Sequence, residues 1–467
     1  MKTYTTLLLL LALYCHAHAE YKSTLITDVP HIKQKPDFCG EACAAMYLQK
    51  LGTKIDQDDV FNLSTLDASL GRGCYTPELA TSLKEMGFKV GRIWYKAQGP
   101  NFNIGIHQQW NKLYQDLLRG TPSIVCMHYS DEPHTTEHFR LVLGYDAKKD
   151  TVIYHEPAEK RGAYKRMKRS LFLKLWPLKY KKNYWTLIRM PLVIDSQNLP
   201  VKKATTHFTK ADYAQHILQL KKDLPRGKFT ILIEEPFVVI GDESPSKVKS
   251  RAKNTVRWAV NLLKKDYFTK DPDHIINIWL FKNRNSYMKN TYHLFGKRPG
   301  TPFGYYSYSD RALVMNISTG GGTLVHEIVH PFMHANFPDC PAWFNEGLAS
   351  LFEQCGERNK RIVGFTNWRL RGLQIAITHN EVPSFKTLTG TTTYQFYNED
   401  PGTNYSQARY LCYYLQQKGL LREFYQQFTK NHKKDVSGYA TLQKVLEEKD
   451  MHKFKTKWQK FVQKLQY

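Results

Sequence analysis

The chain has 467 residues, of which 42% are hydrophobic and 23% charged. That balance excludes a disordered or collagen-like polypeptide and leaves room for two or three globular domains. Lys and Arg exceed Asp and Glu by 25, so polyanions attract the protein. No nucleic-acid recognition module is present.

The first element is Met1-Lys2, an apolar run over Leu7–Leu13, and Ala17-His18-Ala19. A basic start, a short apolar stretch and a small-x-small ending predict a signal peptide over 1–19, removed before Glu20. The product is then exported, periplasmic or secreted, and keeps a charge of +24 because only Lys2 is lost. An anionic cell-envelope polymer is therefore the expected polyanion, and no nucleic-acid partner is expected. A spanning helix needs about 20 apolar residues, which neither this run nor any later one provides, so no transmembrane anchor is expected. Seven cysteines follow: Cys39, Cys43, Cys74, Cys126, Cys340, Cys355 and Cys412. An odd number in an oxidising compartment leaves one thiol unpaired. Cys340 and Cys355 flank one short helix and form a candidate local pair. Cys43 either pairs with Cys74 or is core.

Residues 20–193 read as one domain. Helices are predicted over Cys39–Leu51, from Thr76-Pro77 to Gly87, and around Gln108–Leu118. Strands follow at Pro122–His128, His138–Tyr145, Thr151–His155 and Tyr184–Val193. Helices followed by a run of strands imply an α+β domain. Residues 194–206 are polar and patternless and read as a linker. The second domain, 207–467, opens with a strand at Phe229–Ile240, a long helix at Lys247–Tyr267, and strands at Ile275–Phe281 and Ala312–Ile317. It is mostly helical from Thr323 onward. The last helix carries Phe454, Trp458, Phe461, Val462 and Leu465 on one face, a core stripe with lysines opposite.

Chemistry concentrates in Gly320-Gly-Gly-Thr-Leu-Val-His326-Glu327-Ile-Val-His330. Histidines four apart share one helix face and can ligate one Zn²⁺, while Glu327 beside them can take a proton from water. A zinc peptidase needs a third ligand and an open position. Pro341-Ala-Trp-Phe-Asn-Glu346-Gly-Leu-Ala offers Glu346, one turn inside a second helix. His334 is the rival, but it lies a further turn along the first helix, displaced along the axis.

This stretch resembles the gluzincin metallopeptidases over about Gly320–Phe352. The resemblance implies one Zn²⁺ on His326, His330 and Glu346, with Glu327 as general base and a downstream tyrosine for the oxyanion. Tyr405 is the candidate for that role and Tyr410 the alternative. The spacer between the motifs is shorter than in the aminopeptidase branch, and Pro331 directly follows the second histidine.

In the first domain Gln34 precedes Asp37-Phe-Cys39-Gly-Glu-Ala-Cys43. A helix N-terminus at Cys39 favours the thiolate. His138 opens a strand, and Glu156, before Pro157, closes its hairpin neighbour within reach of the imidazole. Gln34 and the Cys39 N–H can serve an oxyanion. The order of Gln, Cys-Gly-x-Ala, His-Phe and acid-Pro resembles papain-like peptidases of the double-glycine-leader, bacteriocin-processing type over about Asp28–Pro157. That family shows Asp where this chain has Glu156.

Together these features predict an exported two-domain α+β peptidase acting on peptide or protein substrates. The papain-like domain precedes a gluzincin-like one made of a mixed sheet and many helices. Two alternatives remain at this point. One is a peptidoglycan-acting cysteine endopeptidase or amidase. The other is a non-catalytic envelope-binding protein with degenerate peptidase folds.

Overall fold

The computed structural model describes residues 21–195, 200–202 and 207–467. The predicted signal peptide and most of the predicted linker lie outside the described residues. The chain is α+β and divides into two compact units, Met1–Gln219 and Leu220–Tyr467.

The first unit is built on an eight-stranded antiparallel sheet. Its main order is Trp94–Ala97, Tyr184–Pro191, Ser123–His128, Glu137–Asp146, Thr151–His155, Lys165–Lys168. The helix Cys39–Lys50 packs on the strand Glu137–Asp146. Its residues from Ala42 to Met46 are fully buried, because small side chains let a helix lie close to a sheet. A Cβ at Gly40 would sit 2.6 Å from Leu79 and 3.1 Å from Phe139.

The helix Lys210–Leu220 was not anticipated. Lys210 Nζ donates to the Ser64 carbonyl at 2.7 Å, the Ala211 N–H to Asn62 Oδ1 at 2.9 Å, and Gln215 Nε2 to the Pro36 carbonyl at 2.9 Å. These bonds tie it to the first unit, so the division falls later than the linker at 194–206.

The second unit holds a five-stranded mixed sheet, ordered Gly304–Ser307, Ala312–Asn316, Ile276–Phe281, Phe237–Gly241, Thr230–Glu234. The three inner strands run parallel and both edges are antiparallel. The single strand expected at Phe229–Ile240 is in fact a hairpin. Its turn at Glu235-Pro236 lies between two apolar runs that read as one. The predicted long helix spans Pro245–Asp266 with a π-helical stretch at Ala252–Arg257. Helices Gly322–Asn336, Ala342–Leu351, Pro401–Gln417 and Met451–Gln463 share one core with the sheet, and Phe454, Trp458 and Val462 are buried in it. No helix among the described residues is long and apolar enough to cross a membrane. All seven described cysteines are free, so the Cys340–Cys355 pair is not formed.

Candidate functional site

In the second unit, the strand Ala312–Asn316 leads through Gly320, at φ +112°, into the helix Gly322–Asn336. A Cβ at Gly322 would stand 1.9 Å from the Glu353 carbonyl oxygen. Only glycine lets the helix begin so close to that backbone. Leu324, Val325, Ile328 and Val329 bury the helix in the core, which leaves His326, Glu327 and His330 facing a cleft of about 410 Å³. Pro341 precedes the helix Ala342–Leu351, which carries Glu346.

One ligand atom from each of His326, His330 and Glu346 lies within 4.8 Å of the others. Glu346 Oε2 is 3.2 Å from His326 Nε2, and Glu346 Oε1 is 3.8 Å from His330 Nε2. Glu327 Oε2 lies 3.9 Å from His330 Nε2. Two imidazoles and a carboxylate with an adjacent second carboxylate form a donor set that can hold a divalent ion. Orphaned atoms support the fit: Glu346 Oε2 and His326 Nδ1 are buried without a hydrogen-bond partner. Electrostatics point the same way. Burial lowers the His326 pKa, but the close Glu346 carboxylate and the charges of Glu327 and Glu353 outweigh it and hold it at about 9. Burial raises the Glu346 carboxyl, but His330, His326 and Tyr397 together pull it to about 2. The site therefore favours a positive charge. Glu327 is pushed up by burial, against the pull of both imidazoles.

The groups around this set were invisible in the spacing. His330 Nδ1 lies 3.0 Å from Asn345 Oδ1; since that amide oxygen can only accept, the proton sits on Nδ1 and Nε2 is left with its lone pair. Tyr397 donates to Glu346 Oε1 at 2.6 Å. It sits on the helix Thr393–Asn398, which a Thr392–Gln395 capping box fixes. Tyr405, the tyrosine favoured from sequence, lines the same cleft, its ring 6.2 Å from that of Tyr397 and 5.0 Å from the Arg369 guanidinium carbon. Tyr410 is a core residue whose hydroxyl accepts from the Asn367 N–H at 3.0 Å. His334 reaches the cleft wall and packs on Tyr308 at 4.6 Å, outside the converging set.

In the first unit, Glu156 Oε1 lies 2.5 Å from His138 Nε2, and Arg140 Nε donates to Glu156 Oε2 at 2.7 Å. The hairpin pairing Leu141 with His155 brings these groups together. A Cβ at Gly162 would stand 1.9 Å from the Glu156 carbonyl, and the Glu156 N–H bonds the Gly162 carbonyl at 2.8 Å. Burial raises the Glu156 carboxyl, but His138 and Arg140 more than reverse this and leave it below its usual range. Arg140 was missed in the sequence. Its place two residues beyond His138, on the same strand face, was the available signal.

The Cys39 sulfur receives the backbone N–H groups of Phe139 and Gly40, yet burial drives its thiol up to about 12. Burial thus opposes the stabilisation of the thiolate expected from the helix terminus. A cavity of about 550 Å³ opens beside Cys39, lined also by Cys74, Trp94, Cys126, Glu137 and Phe139. His138, Glu156 and Gln34 are not among its lining residues. No hydrogen bond joins Cys39 to His138 among the described residues. Gln34 is fixed by its N–H to the Pro157 carbonyl at 2.9 Å, while its Oε1 is buried and unpartnered.

Residues 26–184 match the Peptidase_C39 like family. The chain is also similar to the peptidase domain of Streptococcus ComA, described as a bi-functional ABC transporter involved in a quorum sensing pathway. That similarity has 19% identity, covers 37% of this chain and 98% of that one, and has a TM-score of 0.24. No curated protein matches the chain. Residues 26–184 of the first unit are thus similar to the C39-like peptidase family.

Proposed function

We propose that the protein is an exported peptidase whose second unit is a gluzincin-like zinc centre. His326, His330 and Glu346 would hold the ion. When bound there, zinc supplies Lewis acidity, which polarises a carbonyl and acidifies water. The remaining chemistry belongs to the chain. Asn345 keeps the His330 lone pair available on Nε2. Glu327, raised by burial, takes a proton from water and returns it to the departing amine nitrogen. Tyr397 holds one Glu346 oxygen, and Tyr405 stands in the cleft as a hydroxyl donor for a developing oxyanion. Convergence of the three ligand atoms within 4.8 Å carries this reading.

The test is metal analysis of the purified chain, with Glu346→Ala as control, together with peptide hydrolysis by Glu327→Gln. One equivalent of zinc in the wild type, lost in Glu346→Ala, supports the reading; a wild type without tightly held metal rejects it. Export rests on residues 1–19, and the +24 charge suits an anionic envelope polymer.

A second reading follows from the family match of residues 26–184. In it the first unit cleaves peptides with Cys39 as nucleophile, His138 as base, Glu156 as its partner and Gln34 at the oxyanion. Hydrolysis that survives chelators and disappears in Cys39→Ala supports it, and clearing of purified peptidoglycan by the same activity would move the substrate to the cell wall.

A further inference from the structure

One partly buried carboxylate near the proposed metal-ligand set has no part in the chemistry above. Glu353 lies just beyond the helix that carries Glu346, seven residues later. Its Oε1 stands 3.5 Å from His326 Nδ1, on the ring edge opposite the nitrogen that faces Glu346. That Nδ1 is buried and makes no hydrogen bond, so the Glu353 oxygen is the charged atom that stands beside it. The carboxylate itself is held from behind. Arg369 Nε donates to Glu353 Oε2 at 3.0 Å and Nη2 to Oε1 at 2.8 Å, a fork that matches both oxygens. Asn367 Nδ2 adds a bond to Oε2 at 2.9 Å. The Glu353 backbone is fixed as well, because its carbonyl is the atom that Gly322 approaches at the start of the histidine helix.

A carboxylate so oriented, with one oxygen 3.5 Å from an imidazole nitrogen, is placed to bias the tautomer and the ring plane of that histidine. His330 receives the same service from the neutral amide of Asn345. The two ligand histidines therefore have unequal outer partners, one charged and one neutral.

Resting on the zinc reading above, we propose that Glu353 is the positioning residue for His326. Held by Arg369, it keeps the His326 proton on Nδ1 and its Nε2 lone pair directed to the metal. Arg369 also faces the Tyr405 ring at 5.0 Å, so one guanidinium braces both the outer carboxylate and a cleft tyrosine. Lysine cannot reproduce that two-pronged hold.

The test compares full-length wild type, Glu353→Gln, Arg369→Lys and, as a control, Asp266→Asn. Asp266 is a buried carboxylate, paired with Arg361 away from the metal set. Zinc affinity is measured by competition with a chelator, thermal stability on the metal-free proteins, and the visible spectrum on the cobalt-substituted ones. Glu353→Gln should weaken zinc binding by roughly 10–100-fold and shift the cobalt bands. Arg369→Lys should shift both in the same direction to a smaller extent. Asp266→Asn should lose stability while keeping zinc affinity and spectrum. Affinity in Glu353→Gln within twofold of wild type, with unchanged cobalt bands, overturns the assignment. So does a loss of affinity that Asp266→Asn shares, since that marks a merely structural role. A wild type that takes up no zinc instead removes the zinc reading and this assignment with it.

Discussion

The Tyr397 hydroxyl donates to Glu346 Oε1 at 2.6 Å, while the other oxygen of that carboxylate is buried and free of hydrogen bonds. One oxygen is anchored by Tyr397, and the other, which faces His326 Nε2, is the one the zinc reading gives to the ion. Tyr397→Phe should therefore loosen a ligand and weaken zinc binding by about tenfold. Tyr405→Phe should leave zinc affinity unchanged and lower kcat by about 10²–10³, the usual loss on removing one oxyanion donor. Chelator competition and steady-state kinetics on the two variants separate these roles. If Tyr405→Phe alters metal affinity and Tyr397→Phe does not, the assignments are reversed.

Glu327 lies beside the ligand set without belonging to it, 3.9 Å from His330 Nε2. Glu327→Gln should retain a full equivalent of zinc and lose about 10²–10⁴ in kcat, the range for removal of a general base. Metal content and turnover measured on one preparation check this. Loss of the metal in this variant would make Glu327 a ligand.

The Cys39 thiol is driven by burial to about 12 from an ordinary 9.0. The thiolate is the reactive form, and at neutral pH its population falls about tenfold each time the thiol becomes ten times weaker as an acid. Iodoacetamide should accordingly label Cys39 about 10³-fold more slowly at about pH 7 than an unperturbed thiol, accelerating through the alkaline range. Peptide mapping after timed alkylation measures the rate. Rapid labelling at neutral pH would show an ion pair with His138 and strengthen the case for a working cysteine nucleophile.

Glu156 has a folded pKa below its ordinary value of 4.5. Such a group adds stability above the unfolded value, and that stability is lost as pH falls through the folded one. The first unit should thus weaken progressively on acidification below about 4.5. At neutral pH Glu156→Gln should cost roughly 3–5 kcal/mol, because it strands the buried Arg140 charge, and the gap from wild type should shrink in acid. Hydrogen exchange of the Glu137–Asp146 strand amides, followed against pH, reports on this unit. An unchanged gap at acid pH would assign the stability to packing instead.

Gly322 allows the closest backbone approach in the metal-site region. Gly322→Ala must move the helix or the Glu353 carbonyl, with a cost of roughly 1–3 kcal/mol for overpacking and a weakened hold on zinc. Gly372→Ala, inside the helix Arg369–Thr378 and with nothing within 4 Å of the added carbon, is the control and should leave zinc affinity unchanged while raising stability by about 0.5–1 kcal/mol. Thermal midpoints and zinc affinities of the two variants decide it.

Much of the convergence of His326, His330 and Glu346 was legible because a helix fixes the geometry of residues four apart, and the two histidines needed no tertiary information to share a face. Glu346 was within reach because its motif opens on Pro341 and supplies the missing acid one turn into a helix. Glu353, Tyr397 and Arg369 were not readable, since each meets the site only after loops and helices have packed; Asn345 stood next to Glu346 in the motif, but its bond to His330 forms only once the two helices meet. Arg140 shares an alternating strand with His138, yet a buried arginine there looks like any strand residue until Glu156 is seen to hold it. Pattern reading also failed at Glu235-Pro236, where apolar residues on both sides concealed a reversal, and at short strands such as Trp94–Ala97 and Leu178–Lys181, which have too few residues to show alternation. The raised Cys39 thiol was missed for a different reason: a helix terminus is a local property, whereas burial depends on the whole domain.

The contact between Gly322 and the Glu353 carbonyl has a use in tracing ancestry. Two histidines and a glutamate at fixed spacing arise by chance often enough to mislead a motif search. A glycine four places before the first histidine answers the close approach of the residue-353 carbonyl, and an acid seven places after Glu346 answers the separate need for a carboxylate beside His326. Chains that carry both marks should share this centre's internal bracing even where little else in them aligns.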